Sequence, residues 1–184
     1  GGRLSFDQRE SYQQSRPTAV SAANGAFPQN RRFEDNFDDA DFSPEVTLSW
    51  KPSDEATIYA AYKRGYKSGG YNLSQTITAG ANLRAGQFKS ETAKGFEIGA
   101  HAALLDRQLR LNAAVYDYDY DDLQVQFYEP VTAGQVVSNA GTLNTKGFEV
   151  DFNFEPRSLD GLSFRGAYAY NKAKYQNFIG QCFG

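Results

Sequence analysis

The sequence predicts an all-β protein, an antiparallel transmembrane β-barrel segment of about seven strands with short periplasmic turns and long extracellular loops. Three observations support this fold class. Apolar and polar residues alternate with a period of two along most of the chain. Short and long connections take turns between the alternating stretches. Aromatic residues make up 15% of the chain, yet its mean hydropathy of -0.61 is that of a polar protein.

Seven stretches carry the alternation, and each would place its apolar side chains on one face of a strand. Most of them approach the roughly 9–11 residues that a tilted strand needs to cross a bilayer. Rings close to the strand ends are typical of the aromatic girdle of a membrane barrel. The apolar positions are Leu4 and Phe6; Val46, Leu48 and Trp50; Ile58, Ala60 and Tyr62; Phe96, Ile98, Ala100 and Ala102; Leu109, Leu111, Ala113 and Val115; Phe148, Val150, Phe152 and Phe154; and Leu162, Phe164, Tyr168 and Tyr170.

The connections between these stretches fall into two classes. Short connections rich in Pro, Asp, Ser or Gly predict turns at residues 51–55, 105–108 and 155–161. Long polar connections predict irregular loops at residues 11–41, 69–90, 128–140 and after Tyr175. A membrane barrel has this asymmetry, whereas a soluble sheet with one apolar face needs a second layer that the sequence does not provide. A secreted β-sandwich binding module and a complete eight-stranded outer-membrane barrel remain the alternatives.

One stretch leaves its phase open. If the alternation of Leu111 and Val115 continues through residues 116–121, the aspartates there would face lipid, which is costly. Either this stretch lies above the bilayer or a β-bulge reverses its phase.

A five-residue motif occurs twice. Residues 94–98 read Lys-Gly-Phe-Glu-Ile, and residues 146–150 read Lys-Gly-Phe-Glu-Val. Each copy opens a strand that runs from a long loop towards a short turn. The simplest interpretation is that equivalent strands need equivalent residues.

The composition excludes several kinds of function. A formal charge of -3 gives no basic footprint for nucleic acid, and no window has the length and apolarity of a membrane helix. His101 and Cys182 are the only residues of their types, so the chain offers no histidine-based metal cluster, catalytic triad or disulfide. We expect no enzyme activity, cofactor or metal site. Two acidic clusters are interpreted as solvated carboxylates, with a cation site as the alternative: Asp35, Asp38, Asp39 and Asp41; and Asp117, Asp119, Asp121 and Asp122.

Several phrases of the sequence resemble the β-barrel of TonB-dependent receptors. The ordered set covers nearly all of residues 42–175, and its order makes it more specific than any single phrase. The matching segments are residues 42–52, 56–72, 91–99, 111–125 and 139–150.

This resemblance implies a barrel of roughly 22 strands with an N-terminal plug domain, in the outer membrane of a Gram-negative bacterium. Such a receptor imports a scarce nutrient such as a ferric siderophore, cobalamin or an oligosaccharide, and is powered by the TonB–ExbB–ExbD system acting through the plug. We expect a ferric siderophore or other iron complex. Its expected partners are therefore outer-membrane lipid, that system and a small nutrient ligand. Residues 1–184 contain no plug, TonB box or signal peptide, so we interpret them as an internal fragment of the barrel.

The transported ligand is expected to contact the outer loops and the upper lumen. Aromatic rings and cations suit sugars as well as anionic iron chelates. For each candidate, the alternative is that the residue only packs the loops. The candidates are Tyr71, Asn72, Arg84, Phe88 and Tyr128.

Overall fold

The computed structural model describes residues 1–14, 32–72, 86–129, 134–159 and 161–178. Within these residues the chain is built from β-strands, and no helix is long and apolar enough to cross a membrane. The strands are β1 (Gly2–Gln14), β2 (Arg32–Ser53), β3 (Ala56–Lys67), β4 (Gly70–Tyr71), β5 (Gln87–Phe88), β6 (Glu91–Leu104), β7 (Leu109–Asp121), β8 (Gln124–Glu129), β9 (Gly134–Asn139), β10 (Gly141–Phe154) and β11 (Phe164–Phe178).

Seven strands form one antiparallel sheet in the order β1-β2-β3-β6-β7-β10-β11. Two small hairpins, β4–β5 and β8–β9, lie in the connections that follow β3 and β7. We call the end of the sheet that carries these hairpins the upper end. The prediction of about seven antiparallel strands is confirmed, and the sheet does not close into a barrel within the described residues.

The register of the sheet separates an apolar outer face from a polar inner face. One row across six strands is apolar: Leu48, Ala60, Ile98, Val115, Phe148 and Tyr170. The neighbouring row on the opposite face is largely polar: Thr47, Ala61, Glu97, Tyr116, Gly147 and Asn171. The apolar side chains are exposed, with Leu48 at 72% and Ile98 at 55%. An apolar surface of this extent marks a face that contacts lipid or another protein.

The described residues contain almost no conventional hydrophobic core. Only Phe37, Ala61, Val136 and Ala140 are buried apolar residues among them. A sheet of this size with its apolar side chains on one exposed face gains its hydrophobic stabilisation from a lipid environment. The soluble β-sandwich has no companion layer in this part of the chain.

The apolar band has the height of a bilayer. On β6 it runs from Phe96 to Leu104, which is about 27 Å along the strand at roughly 3.4 Å per residue. At the strand tilt of roughly 35–45° found in barrels, this length spans about 19–22 Å across the membrane, slightly less than the apolar band of about 25 Å of a membrane barrel. At the lower edge, Leu104, Leu109, Phe154 and Phe164 form the last apolar row.

A charged row lies above the band and resolves the phase of residues 116–121. On the outer face, Lys94, Asp119, Asn144 and Lys174 follow one another across four strands. The β6–β7 register continues without a bulge from Leu104 to Thr92. The aspartates therefore keep the phase of Val115. Asp119 and Asp121 lie above the apolar band, as the first of the two alternatives predicted, whereas Asp117 lies opposite Phe96 in the uppermost row of the band.

The long connections are partly β-structured, so their prediction as irregular loops is wrong at several places. β1 reaches Gln14 and β2 begins at Arg32, although residues 11–41 were predicted to be irregular. Likewise, β4–β5 falls within 69–90, β8–β9 overlaps 128–140, and β11 continues to Phe178. Above the bilayer both faces of a strand contact water, so the alternation that identifies a strand is lost.

The three short turns at the lower end are confirmed, and two of them are hydrogen-bonded to each other. Leu105, Asp106 and Arg107 all have positive φ, between 53° and 67°, in the turn between β6 and β7. The Arg157 guanidinium of the next lower turn donates to the carbonyl of Asp106 at 2.8 Å, and the backbone N–H of Glu155 donates to the carbonyl of Gln108 at 2.8 Å. The two turns thus form one hydrogen-bonded unit.

Candidate functional site

Glu97 organises the polar inner face at the level of the upper apolar rows. The Tyr59 hydroxyl donates to one carboxylate oxygen at 2.8 Å, and Lys63 lies 3.4 Å from the other. Tyr118 reaches the same carboxylate from β7 at 3.5 Å. β3, β6 and β7 supply these side chains because each strand turns its polar phase inward. The result is a preorganised, partly buried group of hydrogen-bonding side chains on the wall.

A second polar chain crosses the inner face below Glu97. His101 stacks on Tyr59 with ring centroids 5.5 Å apart, and its Nδ1 lies 2.8 Å from the side-chain oxygen of Asn112. The amide nitrogen of Asn112 donates in turn to Asp151 at 2.9 Å. The side chain of His101 is exposed and hydrogen-bonded, which fits the prediction of a solvated histidine on the inner face.

A cleft of about 740 Å³ lies at the upper end between β1, β2 and β3. The cleft is lined by arginine and lysine side chains, by carboxylates and by hydroxyl groups. Its charged lining consists of Arg3, Asp7, Arg9, Glu45, Lys63 and Arg64. We call this space the upper cleft. Through Lys63 it is continuous with the Glu97 group on the inner face.

Most of the cations of the upper cleft are held in place by carboxylates. Arg9 pairs with Asp7 at 2.8 Å, and Arg64 makes a two-pronged pair with Asp41 at 2.6 Å for each prong. Hydrogen bonds from Ser68 and Arg9 hold the pKa of Asp7 below its usual value. The hydrogen bond to Asp41 raises the pKa of the Arg64 guanidinium further above its usual value, so Arg64 stays charged at physiological pH.

Arg3 differs from these cations. Within the described residues its guanidinium has no carboxylate at ion-pair distance. It faces the upper cleft with all of its donors available to a ligand. Sequence reasoning missed the upper cleft because its members come from three strands. A weak signal was available, since Arg3, Asp7 and Arg9 share one phase of β1.

The candidate ligand contacts Tyr71, Asn72 and Phe88 come together above the cleft. Gly70 pairs with Phe88, and Tyr71 packs edge-to-face on Phe37 with centroids 6.2 Å apart. A Cβ on Gly69 would lie 3.0 Å from the Phe37 ring, so the strand ends approach closely here. Phe37, which the sequence placed in an irregular loop, is one of the few buried apolar residues of the described chain.

The remaining candidates stand apart. Tyr128 lies on β8, opposite Gln135, and its side chain is 52% exposed. Arg84 lies outside the described residues. The assignment of these candidates as ligand contacts stays a prediction.

The acidic clusters are engaged by neighbouring side chains. Asp41 is held by Arg64 and by the Ser43 hydroxyl, and Ser90 donates to Asp39. The Asn144 amide donates to both Asp117 and Asp119, at 2.7 and 2.8 Å. Among the described residues no group of histidine, cysteine and carboxylate side chains is arranged to hold a metal ion.

The family of the chain follows from a comparison with known protein families. The model described as "TonB dependent receptor-like, beta-barrel" matches residues 1–181. The chain belongs to the TonB-dependent receptors. It is part of their outer-membrane β-barrel, and the β-sandwich and the small eight-stranded barrel are not favoured.

Individual relatives of this TonB-dependent receptor segment agree with the family. It is 29% identical over 172 residues to the "Probable TonB-dependent siderophore receptor PiuA" of Acinetobacter baumannii, covering 91% of this chain and 20% of that protein. It is 28% identical over 107 residues to the pesticin receptor of Yersinia enterocolitica, covering 58% of this chain and 15% of that receptor. The chain thus spans a fifth or less of these relatives.

Solved structures of receptors have the same fold. The ferric yersiniabactin uptake receptor FyuA from Yersinia pestis superposes with a TM-score of 0.66 at 20% identity, covering 95% of this chain and 24% of that one. PiuA from A. baumannii superposes with a TM-score of 0.61 at 24% identity, covering 98% and 24%. These likenesses establish the barrel-wall fold. The family is one of transport receptors, which favours a function other than catalysis.

In the receptor, Asn72 ties the two upper hairpins together. Its side-chain amide donates to the carbonyl of Val137 at 2.7 Å, and its side-chain oxygen accepts from the N–H of Val137 at 2.6 Å. Asn72 thus pairs with β9 as a strand backbone would. Gln124 and Asn139 add further hydrogen bonds between these segments, to the carbonyl of Lys89 at 3.0 and 2.9 Å.

Replacing Asn72 by aspartate is expected to release this attachment. A carboxylate cannot donate to the carbonyl of Val137 and would repel it, so the substitution should cost about 1–3 kcal/mol of local stability. Amide hydrogen exchange of β9 in the full-length receptor should therefore accelerate about tenfold or more. The matched control is Asn36→Asp, at an exposed position whose side chain makes no comparable double contact. Equal exchange in both variants would exclude this role of Asn72.

Proposed function

We propose that residues 1–184 are part of the barrel domain of a receptor that imports a ferric siderophore or another anionic iron complex. The observation that carries the proposal is the upper cleft, in which Arg3 faces the space with its donors available while Arg9 and Arg64 are fixed by Asp7 and Asp41. Guanidinium groups held in this way suit planar anionic oxygens. The names of PiuA and FyuA, both receptors for siderophores, support the same cargo.

The same proposal covers the parts of the receptor beyond this segment. Transport through the barrel would be powered by the TonB–ExbB–ExbD system acting on a plug domain, and the barrel would be embedded in outer-membrane lipid. Tyr71, Phe88 and Tyr128, together with Arg84, are proposed to contact the aromatic or extended part of the cargo above the cleft. Asn72 is proposed to position these residues, because both polar atoms of its side chain bind Val137.

Uptake of iron by the full-length receptor tests the proposed function. The receptor is expressed in a Gram-negative host that lacks its other iron receptors, and radioactive iron is offered as an anionic siderophore complex under iron limitation. Replacing Arg3 by glutamine should weaken binding of the anionic iron complex about tenfold or more, since a charge-assisted hydrogen bond contributes about 1.5–3 kcal/mol. Iron uptake at low concentrations of the complex should fall with it. Arg107→Gln, at a lower turn, is the matched control and should leave uptake unchanged.

Three results would contradict the proposal. The wild-type receptor could fail to take up any of a panel of iron complexes although it is folded and present in the outer membrane. It could instead import only iron-free cargo, such as cobalamin or an oligosaccharide. Finally, Arg3→Gln and Arg107→Gln could reduce uptake equally, which would exclude the upper cleft as a binding site for the cargo.

A further inference from the structure

The small hairpins β4–β5 and β8–β9 are held together by side-chain amides and not by backbone pairing. Each hairpin forms a two-stranded sheet of its own within the described residues. Asn72, which follows β4, binds both backbone groups of Val137 on β9, at 2.7 and 2.6 Å. We call β4–β5 and β8–β9 together the hairpin pair. This contact joins two sheets whose strands do not pair with each other.

A second asparagine makes the same kind of contact in the opposite direction. The side-chain oxygen of Asn139, the last residue of β9, accepts from the backbone N–H of Lys89 at 2.7 Å. Its amide nitrogen donates to the carbonyl of Lys89 at 2.9 Å and to the carbonyl of Asp122 at 2.8 Å. A side-chain amide offers a donor and an acceptor as a peptide group does, so it can take the place of a neighbouring strand. Each connection thus holds the backbone of the other through an asparagine.

Gln124 fixes the second hairpin to both ends of the first connection. Its side-chain amide donates to the carbonyls of Ser68 and Lys89, each at 3.0 Å, and its backbone N–H donates to the Glu91 carboxylate at 2.7 Å. Ser68 follows β3 and Glu91 opens β6, so these partners lie before and after β4–β5. The backbone of Lys89 is therefore bound by Gln124 as well as by Asn139.

The joints between β8–β9 and the wall make the position of this hairpin depend on the amide contacts. Asp122, between β7 and β8, has a φ of 53°, and Gly141, the first residue of β10, has a φ of 115°. A residue with positive φ interrupts the regular course of a strand. Accordingly, β8–β9 does not continue the seven-stranded sheet. The side chains of Asn72, Gln124 and Asn139 hold it against the neighbouring connection instead.

We propose that the hairpin pair is one coupled unit, in which any change that loosens one hairpin also loosens the other. The same hydrogen bonds contribute to the stability of both hairpins, so the coupling acts in both directions. Tyr71 and Phe88 belong to the first hairpin and Tyr128 to the second. A molecule that binds to either hairpin therefore orders both. The coupling extends beyond the attachment by Asn72 and does not depend on which cargo the receptor carries.

Replacing Gly69 by alanine tests the coupling from the first hairpin towards the second. A Cβ at Gly69 would lie 2.9 Å from the carbonyl carbon of Lys89 and closer still to the carbonyl oxygen of Phe88, so it displaces the backbone that Asn139 binds. In the full-length receptor, amide hydrogen exchange of β9, measured by mass spectrometry, should accelerate about fivefold or more. Gly65→Ala is the matched control and should leave exchange in β9 unchanged, because its Cβ would meet nothing within 4 Å.

Replacing Asn139 by aspartate tests the coupling in the opposite direction. A carboxylate cannot donate to the carbonyls of Lys89 and Asp122, so the second hairpin loses part of its hold on the first. Amide hydrogen exchange of β4 should therefore accelerate by a factor similar to that seen for β9. Asn36→Asp, at an exposed position, is the matched control and should leave exchange in both hairpins unchanged.

The double variant separates coupling from independent loosening. Gly69→Ala and Asn139→Asp together should accelerate exchange in β9 by less than the product of their separate effects, because both act on the contact between Lys89 and Asn139. The proposal is overturned if each variant affects only its own hairpin, if the double variant shows the full product, or if β6 and β7 accelerate equally. Heat-dependent migration in electrophoresis checks that each variant is folded. If Gly69→Ala does not fold, the response of β4 to Asn139→Asp decides alone.

Discussion

Replacing Gly147 by alanine should prevent most of the full-length receptor from reaching its folded form. A Cβ at this position would lie 2.8 Å from the Tyr116 hydroxyl oxygen and closer still to the carbonyl oxygen of Tyr170. The second of these atoms is backbone of the neighbouring strand and cannot rotate away. Overpacking of this kind costs about 1–3 kcal/mol or more, which is large against the stability of a domain.

The same argument applies to Gly95, the equivalent residue of the repeated motif. Its Cβ would meet Tyr118 Cδ1 at 2.5 Å and would come closer still to the carbonyl oxygen of Asp117. A tyrosine of β7 thus covers each glycine. Tyr118 covers Gly95 on β6, and Tyr116 covers Gly147 on β10. The motif recurs because two strands flank β7 and each must leave room for one of its rings. This gives the repeat a specific physical reason.

The measurement is the fraction of receptor in the outer membrane that shows heat-dependent migration in electrophoresis. Gly65→Ala is the matched control, because a Cβ at Gly65 would meet nothing within 4 Å. We expect Gly147→Ala and Gly95→Ala to lower the folded fraction strongly and Gly65→Ala to leave it unchanged. If all three variants fold equally well, the close approach of the tyrosines is not what excludes a side chain at these positions.

Replacing Asp41 by asparagine should loosen the upper hairpin, which consists of β1 and residues 32–44 of β2. The regular β2–β3 pairing ends at Glu45 and Lys63, so above that level Arg64 joins β3 to the upper part of β2. It does so through both oxygens of Asp41 and through the carbonyl of Phe42. The side chains of Arg64 and Asp41 are only 26% and 11% exposed, so solvent screens their attraction incompletely.

The Asp41→Asn substitution is expected to lower the local stability by about 1–3 kcal/mol, which lies between the values for an exposed ion pair and a buried one. In the full-length receptor, amide hydrogen exchange in residues 36–40 should accelerate about tenfold or more, while β6 and β7 should keep their protection. Asp38→Asn is the matched control, because Asp38 is exposed and makes no side-chain hydrogen bond or ion pair within the described residues. Faster exchange throughout the sheet would point to global destabilisation and contradict this assignment.

The sequence predicted the wall well because lipid and the barrel interior impose opposite demands on neighbouring residues. At Val46, Leu48 and Trp50 the alternation gives the strand, its face and its depth. The segment from Glu34 to Asp41 carries polar residues in both phases of the alternation, so the same reasoning did not identify it as a strand. Only its pairing with β1 reveals it.

The site was less predictable because its contacts are long-range. Tyr71 and Phe88 were selected as rings in outer loops, yet nothing near them in the sequence indicates the approach of Phe37. The double hydrogen bond between Asn72 and Val137 joins residues 65 apart in the chain. Arg3 likewise gains its position in the upper cleft from strands that follow it by dozens of residues. Such contacts depend on strand register above the band, which the composition of single segments does not determine.

The hydrogen-bonded unit at the lower turns has a practical consequence for labelling the receptor from the periplasmic side. Arg157 and Gln108 hold both turns, so an epitope or spin label at either position would disturb two strand connections at once. Ser158 is exposed and makes no hydrogen bond to the neighbouring turn within the described chain, so a probe attached there should leave the connections intact. A spin label at Ser158 would report the position of both turns through a single attachment.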